Sequence, residues 1–330
     1  METQLLHFNE KHLNLAGKLI QEGKLVAFPT ETVYGLGANA LDSNAVQDIF
    51  VAKGRPNDNP LIVHVYCASQ IGKVAYDSND DVQKLIANLM PGSLTLVLPK
   101  RDVVPSVVTA GMDTVAVRMP ASKQALSFLQ ACNVPVAAPS ANTSTRPSPT
   151  TWQAVKEDLD GKIDAILCGD SCLVGIESTV LDMTQPTPTV LRPGVVTPSQ
   201  IATVLGKPVT VVENPHDKVN SPGVRYKHYA PSCEMVLNVD GDVAKICNYY
   251  DGQTSLGKKV VILAQDVNAF GKRTVKPLGQ TDLAVAQGLF SNLRLCEKRY
   301  DVIIASYPSS TELAKSVLNR LIKSAGQKIL

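Results

Sequence analysis

The chain has 330 residues, 44% of them hydrophobic, and a formal net charge of +2 at pH 7. That length can bury two substantial cores, and that composition excludes a disordered or collagen-like chain and lends only weak support to a nucleic-acid binder. No run approaches the roughly 20 apolar residues needed to cross a membrane. The opening METQLLHFNEKHLNLAGKLI has early acidic residues and no continuous apolar stretch, so it does not read as a signal peptide. The seven cysteines are scattered and odd in number, and CGDSC at 168–172 holds the one close pair. They read as reduced, buried thiols of a cytoplasmic protein.

In chain order, short apolar and β-branched runs fall at 24–30, 61–66, 94–100, 114–120, 134–140, 165–170, 178–183 and 189–194. Helical stripes lie between several of them, as with Leu13, Ala16, Leu19 and Ile20, and again with Val82, Leu85, Ile86 and Leu89. Strands apolar on both faces suit a sheet covered by helices, so residues 1–212 read as one open, twisted α/β domain. The last third alternates strand and helix: strands at 234–239, 259–265 and 300–306, helices at 282–297 and 311–324, and a short RTVKPLG segment between. Such alternation implies a small parallel, Rossmann-like sheet over 233–330. Residues 213–232 join the two. This linker contains SPGVRYKHYAP, 221–231, which crowds Arg225, Tyr226, Lys227, His228 and Tyr229 together. A passive tether would carry Gly, Ser and Pro instead. Charge is shared unevenly: residues 1–212 hold 16 Lys and Arg against 19 Asp and Glu, net −3, and the remainder is net +5. Any anion site in the first part must therefore use a few placed cations.

Common nucleotide motifs are missing. GLGANA, 35–40, formally fits G-x-G-x-x-A, but four residues, ETVY, separate its first glycine from the preceding strand. A Walker A loop, G-x-S-x-G and H-E-x-x-H do not occur. What the sequence offers is a set of cations at element ends. Asp42 to Asn44 can cap a helix whose inward stripe, Val46, Ile49 and Phe50, continues to Lys53, and Gly54, Arg55 and two prolines follow. Lys as a point charge and Arg as a fork could grip a polyphosphate, while two helix-end cations answering the dipole are the plainer alternative. VPVAAPSANTSTRPSPTT, 134–151, opens from a strand into a loop of hydroxyls, an amide and main-chain N–H groups; capping by Thr150 or Thr151 accounts for part of it. Arg118 and Arg192 sit in apolar strands and need anionic partners, from Glu31, Glu177 or Asp182 or from a substrate. Thr30, Thr32 and Tyr34 follow a strand directly, and His64 lies within another, where a core role is the usual one. Together these features point to a cleft for a polyanion and a small carboxylate.

FPTETVYGLGANA, KGRPNDNPLIVHV, MPGSLTLVL, DTVAVRMP, AAPSANTSTRPSPT, GIESTVLD, LRPG and SPGVRYKHYAP, in this order, resemble the threonylcarbamoyl-AMP synthase family across about residues 8–231. The resemblance is to the long form, in which a YrdC-like catalytic domain precedes a C-terminal Rossmann-like domain. It implies condensation of L-threonine, bicarbonate or CO2 and ATP to threonylcarbamoyl-AMP and pyrophosphate, with Mg2+ on the phosphates. The product would pass to a tRNA-threonylcarbamoyl transferase complex that modifies the adenosine beside the anticodon. Carried over by position, Lys53, Arg55, Ser140 and Asn142 are the catalytic set and also hold ATP, with Asn57, Thr114, Ser148, Arg192 and Tyr226. Thr30, His64, Arg118, Ala138 and Ser178 form the threonine pocket, and no side chain is expected to ligate metal. The linker becomes a lid over the cleft. The rival reading is an RNA-binding module without ATP chemistry, favoured by the +5 remainder and disfavoured by a 5% aromatic content. Weak tRNA contact is compatible with either, and no membrane is involved.

Overall fold

A computed structural model describes residues 2–212 and 228–330. Tyr226 and the expected lid, up to residue 227, lie outside the described residues.

The strands are β1 (Gln4–His7), β2 (Val26–Phe28), β3 (Gly35–Asn39), β4 (Ile62–His64), β5 (Leu94–Pro99), β6 (Thr114–Arg118), β7 (Val136–Ala137), β8 (Ala165–Cys168), β9 (Thr179–Asp182), β10 (Thr189–Arg192), β11 (Thr210–Val211), β12 (Glu234–Asn238), β13 (Val260–Ala264), β14 (Val275–Pro277) and β15 (Val302–Ser306). The helices are α1 (Glu10–Gln21), α2 (Ser43–Lys53), α3 (Ala68–Val74), α4 (Asp80–Leu89), α5 (Ser106–Thr109), α6 (Lys123–Cys132), α7 (Trp152–Leu159), α8 (Pro198–Leu205), α9 (Val243–Ser255), α10 (Asp282–Glu297) and α11 (Glu312–Ser324).

Two compact units result. The first takes Met1–Ser144, Pro149–Leu173 and the stretch beginning at Glu177; the second takes Thr145–Ser148, Val174–Ile176 and the C-terminal part of the chain. In the first unit β1-β8-β2-β3-β7-β4-β6-β5-β9-β10-β11 form one mixed sheet. From β4 to β10 its pairings alternate, parallel for β4 with β6 and β5 with β9, antiparallel for β5 with β6 and β9 with β10. In the second, β12-β15-β13-β14 are all parallel, as the alternation predicts.

The sheet of the first unit is covered differently along its width. At β2, Val26 and Phe28 point into a cluster with Ile20 of α1 and Phe128 and Leu129 of α6, while Ala27 enters the larger core on the other face with Ile49 and Phe50 of α2. At β4, β6, β5 and β9 one face still feeds that larger core through Val63, Val117, Leu96 and Leu181. The opposite face holds only a small separate cluster, Ile62, Val97, Ala116 and Val180, with Leu191 packed against it. The expectation of a sheet helix-covered on both sides therefore holds for one half, and the other half keeps a shallow apolar floor.

Candidate active site

The floor is framed by polar side chains because a strand sends every second residue to the same face. On β6, Thr114, Ala116 and Arg118 share a side; β4 places Ile62 and His64 opposite Ala116 and Arg118. On β5, Val97 stands opposite Ala116, and β9 pairs Val180 with Thr95. Arg192 of β10 is opposite Val180. His64, Thr114, Arg118, Thr95 and Arg192 thus surround Ile62, Val97, Ala116 and Val180 on one surface.

Arg118 is 3% exposed, and each of its three guanidinium nitrogens donates one hydrogen bond within the protein. Its Nη2 donates to Glu31 Oε1 at 2.5 Å, Nη1 to Thr32 Oγ1 at 2.8 Å and Nε to the Gly92 carbonyl at 3.3 Å. Ser93 Oγ also donates to Glu31 Oε1, at 3.0 Å. Burial acts to raise the Glu31 carboxyl, but the Arg118 charge and hydrogen bond, helped by the main-chain N–H dipoles of Glu31 and Ala121 nearby, outweigh it and hold the acid below its usual range. Of the partners the sequence offers for Arg118, Glu31 is the one found. Three of the five guanidinium N–H groups are spent, leaving one on each terminal nitrogen.

His64 packs edge-on against Phe28, with ring centroids 6.0 Å apart, and its Nδ1 lies 3.2 Å from the Ile62 carbonyl. Burial, and then the charge of Arg118, push it down to about 3, so it is neutral at physiological pH. Thr30 is consumed locally: its Oγ1 donates to the Val33 carbonyl at 2.7 Å and accepts from the Thr32 and Val33 N–H groups, fixing the turn that presents Glu31. Ser178 Oγ accepts from Arg192 Nη2 at 3.1 Å and lies 2.7 Å from Thr95 Oγ1, while Arg192 Nε donates to the Ser178 carbonyl at 3.0 Å. The Ala138 N–H is spent on the Ile62 carbonyl at 2.9 Å, so only its carbonyl can face a ligand.

Lys53 is where the helix phasing places it. Asp42 caps α2 by accepting from the Asn44 and Ala45 N–H groups, and Gly54, at φ 60°, ends the helix in the left-handed conformation. Lys53 is the last residue of α2 and is 2% exposed. Its Nζ donates to the carbonyls of Ser140 and Asn142, the latter at 2.5 Å, and its own carbonyl accepts from the Ser144 N–H at 2.8 Å. Helix end and Ser140–Asn142 loop are therefore one construction. Arg55 Nη2 reaches toward the Asn59 and Pro60 carbonyls at 3.4 and 3.5 Å, and Asn57 is exposed.

Thr114 stands apart from the pocket around Arg118. It begins β6 where Arg118 ends it, four residues or about 13 Å away along the strand. Since Ile62 pairs with Ala116, the chain just before β4, including Asn59 and Pro60, runs beside that far end. Ser148 is buried and belongs to the second unit. Ser93 and Thr95 are the residues that sequence reasoning missed, and only their hydroxyls within an otherwise apolar SLTLVLP could have signalled them; Thr32, singled out beside Thr30, accepts from Arg118. Among the described residues no three His, Cys, Asp or Glu side chains are grouped to hold a metal ion.

Fold and site define a mixed α/β protein with a lysine-anchored, hydroxyl-rich loop and a buried arginine pocket at one face of its sheet. Comparison places it more closely. A family model described as "Telomere recombination" matches residues 18–194, and one described as "Threonylcarbamoyl-AMP synthase, C-terminal domain" matches 196–326. The threonylcarbamoyl-AMP synthase of Pyrococcus abyssi is 44% identical over 97% of this chain and 96% of its own length. That of Bacillus subtilis is 40% identical over 99% and 97%. A crystal structure of P. abyssi Sua5 complexed with L-threonine superposes with a TM-score of 0.92, at 42% identity, covering 100% of this chain and 99% of that one. The chain belongs to the threonylcarbamoyl-AMP synthase family. Among the described residues no helix is long and apolar enough to cross a membrane.

Proposed function

We propose that this chain makes threonylcarbamoyl-AMP from L-threonine, bicarbonate or CO2, and ATP. The observation that carries the reading is the polar frame around one apolar floor, with Arg118 and His64 at one end of β4 and β6 and Thr114 at the other. Two ends that far apart suit an elongated substrate and a small one better than a single small acid. The threonine amine adds CO2 and loses a proton, giving a carbamate. A carbamate oxygen then bonds to the α-phosphorus of ATP as the bond to the β-phosphate oxygen breaks, releasing pyrophosphate. The substrate supplies the nucleophile, so the protein positions the reactants and neutralises charge.

In this reading Lys53, Arg55, Ser140 and Asn142 hold and activate the triphosphate, with Asn57, Thr114, Ser148, Arg192 and Tyr226 completing the nucleotide site. The remaining N–H groups on the two terminal nitrogens of Arg118 meet the threonine carboxylate, and Thr30, His64, the Ala138 carbonyl and Ser178 shape the pocket. Mg2+ would ride on the phosphates and neutralise them; among the described residues no three His, Cys, Asp or Glu side chains group to hold it. The product goes to a tRNA-threonylcarbamoyl transferase in the cytoplasm, with at most weak contact between this chain and tRNA. Mass spectrometry of a reaction with ATP, bicarbonate and threonine tests the proposal. The expected result is the mass of threonylcarbamoyl-AMP, with pyrophosphate release that needs both threonine and bicarbonate. ATP left intact, together with a Lys53→Ala variant altered only in RNA affinity, would sink it.

A further inference from the structure

The carboxylate that engages Arg118 is only half used. Glu31 Oε1 takes both the Arg118 Nη2 and the Ser93 hydroxyl, at 2.5 and 3.0 Å. Oε2 is buried and has no hydrogen-bond partner among the described residues. The Glu31 side chain is 10% exposed. A buried carboxylate oxygen without a donor is costly, on the order of 1–3 kcal/mol or more, and native structures leave few of them. The main-chain N–H groups of Glu31 and Ala121 favour the charged carboxyl, but neither makes a hydrogen bond to Oε2, and the nearby side chains do not offer one. The Thr30 hydroxyl donates to the Val33 carbonyl, so the Thr32 hydroxyl, which accepts from Arg118, is left to donate to Thr30 Oγ1 at 2.8 Å, and the neutral His64 has its Nδ1 at the Ile62 carbonyl. The Arg118 charge keeps Glu31 ionised, so the vacant oxygen carries negative charge at neutral pH.

A zwitterionic amino acid presents a carboxylate and an ammonium two bonds apart. Arg118 with two unspent N–H groups, and Glu31 Oε2 with none accepted, offer the matching pair of opposite charges within one hydrogen-bonded unit. We propose that Glu31 receives the amino nitrogen of the amino-acid substrate through Oε2, so that the Arg118–Glu31 pair clamps the zwitterion and fixes which way the amine faces. This rests on the function proposed above for the same pocket. The ammonium donates to Oε2 on binding, and the N–H that survives carboxylation goes on donating to it. Glu31 is a positioning residue here: held Oε1-first by Arg118 and Ser93, it orients the nitrogen without exchanging protons with it. Specificity follows from the same pairing, since an acid lacking the amine leaves Oε2 buried and unsatisfied.

The test is a ratio of affinities, measured by calorimetry on the full chain with L-threonine and with (R)-3-hydroxybutyrate, the same molecule without its amine. The wild-type chain should prefer threonine by at least about tenfold. Glu31→Gln keeps an oxygen for Arg118 and Ser93 but turns an NH2 toward the ammonium, and the ratio should fall to near one. General damage to the pocket would weaken both ligands and leave the ratio standing. If Glu31→Gln does not fold, Glu31→Asp withdraws the carboxylate by one methylene and should lower the ratio at least threefold. A folded Glu31→Gln that keeps the wild-type preference overturns the proposal and assigns Oε2 to a water or an ion, as does a wild-type chain that does not distinguish the two ligands. Because binding alone is read, a chain that shows the ratio but makes no adenylate refutes the reaction and leaves the clamp intact.

Discussion

Lys53 shows how a single side chain ties the Ser140–Asn142 loop to the end of α2. An ammonium that is 2% exposed is held by the carbonyls of Ser140 and Asn142, so its removal takes a donor from both. Lys53→Met should destabilise the chain by about 1–3 kcal/mol, read by urea unfolding. It should also slow adenylate synthesis at least about a hundredfold. Lys53→Arg should not restore activity, because a planar fork cannot take the place of a compact ammonium between two carbonyls; full activity in that variant would remove Lys53 from the catalytic set. The inward position of Lys53 was legible, since it continues the phase of Ile49 and Phe50. So was an acidic neighbour for Arg118. The hydroxyls of Ser93 and Thr95 were not, because SLTLVLP reads as a core strand and only sheet register brings Thr95 to the level of Val180 and within reach of Ser178.

Elements were most legible where periodicity and caps agree. The helix over 282–297 coincides with α10, and the parallel sheet of the second unit follows from its alternation. β3 was hidden because GLGAN has no β-branched side chains; its glycines serve packing, as a Cβ on Gly37 would lie 2.9 Å from Val136 Cγ1. Least legible was what α10 does within the second unit. Arg294, 5% exposed, sends Nε and Nη2 to the Pro147 carbonyl at 3.1 and 2.6 Å, across 147 residues of sequence. Glu297 takes Arg146 on one oxygen and the Ser232 N–H on the other at 2.7 Å. Thr145, a β-branched residue at φ 76°, is held in that unfavourable conformation with its carbonyl bonded to the Ala230 N–H. Local sequence cannot report pairings at that separation. Arg294→Met should release the Pro147 carbonyl and speed amide exchange across 144–148 at least tenfold, with about 1–3 kcal/mol lost from the second unit. Hydrogen-exchange mass spectrometry measures this, and unchanged exchange in the loop would show that α10 does not hold it.

Across the whole molecule the two units differ in what acid does to them. In the first, His64 is buried neutral and pushed down to about 3 from an ordinary 6.5, and Glu31 is held below 4.5. In the second, Asp282 is held below its ordinary 3.8: burial acts to raise it, and hydrogen bonds from Thr311, Tyr307 and Ser309 prevail. In each case the unfolded chain binds more protons than the folded one, so stability is complete at high pH and is lost as pH falls. The onset differs. His64 begins to cost the first unit stability below about 6.5, whereas Glu31 adds its loss only below about 4.5 and Asp282 acts on the second unit below about 3.8. The single tryptophan, Trp152, lies in the first unit and reports on it alone. Urea unfolding followed by Trp152 fluorescence should therefore show the first unit weaker at pH 5 than at pH 8, by on the order of 2 kcal/mol. His64→Gln cannot take up that proton, so its loss between pH 8 and pH 5 should shrink to a few tenths. An equal loss in the variant would mean that another group, and not the buried imidazole, sets the acid threshold of the first unit.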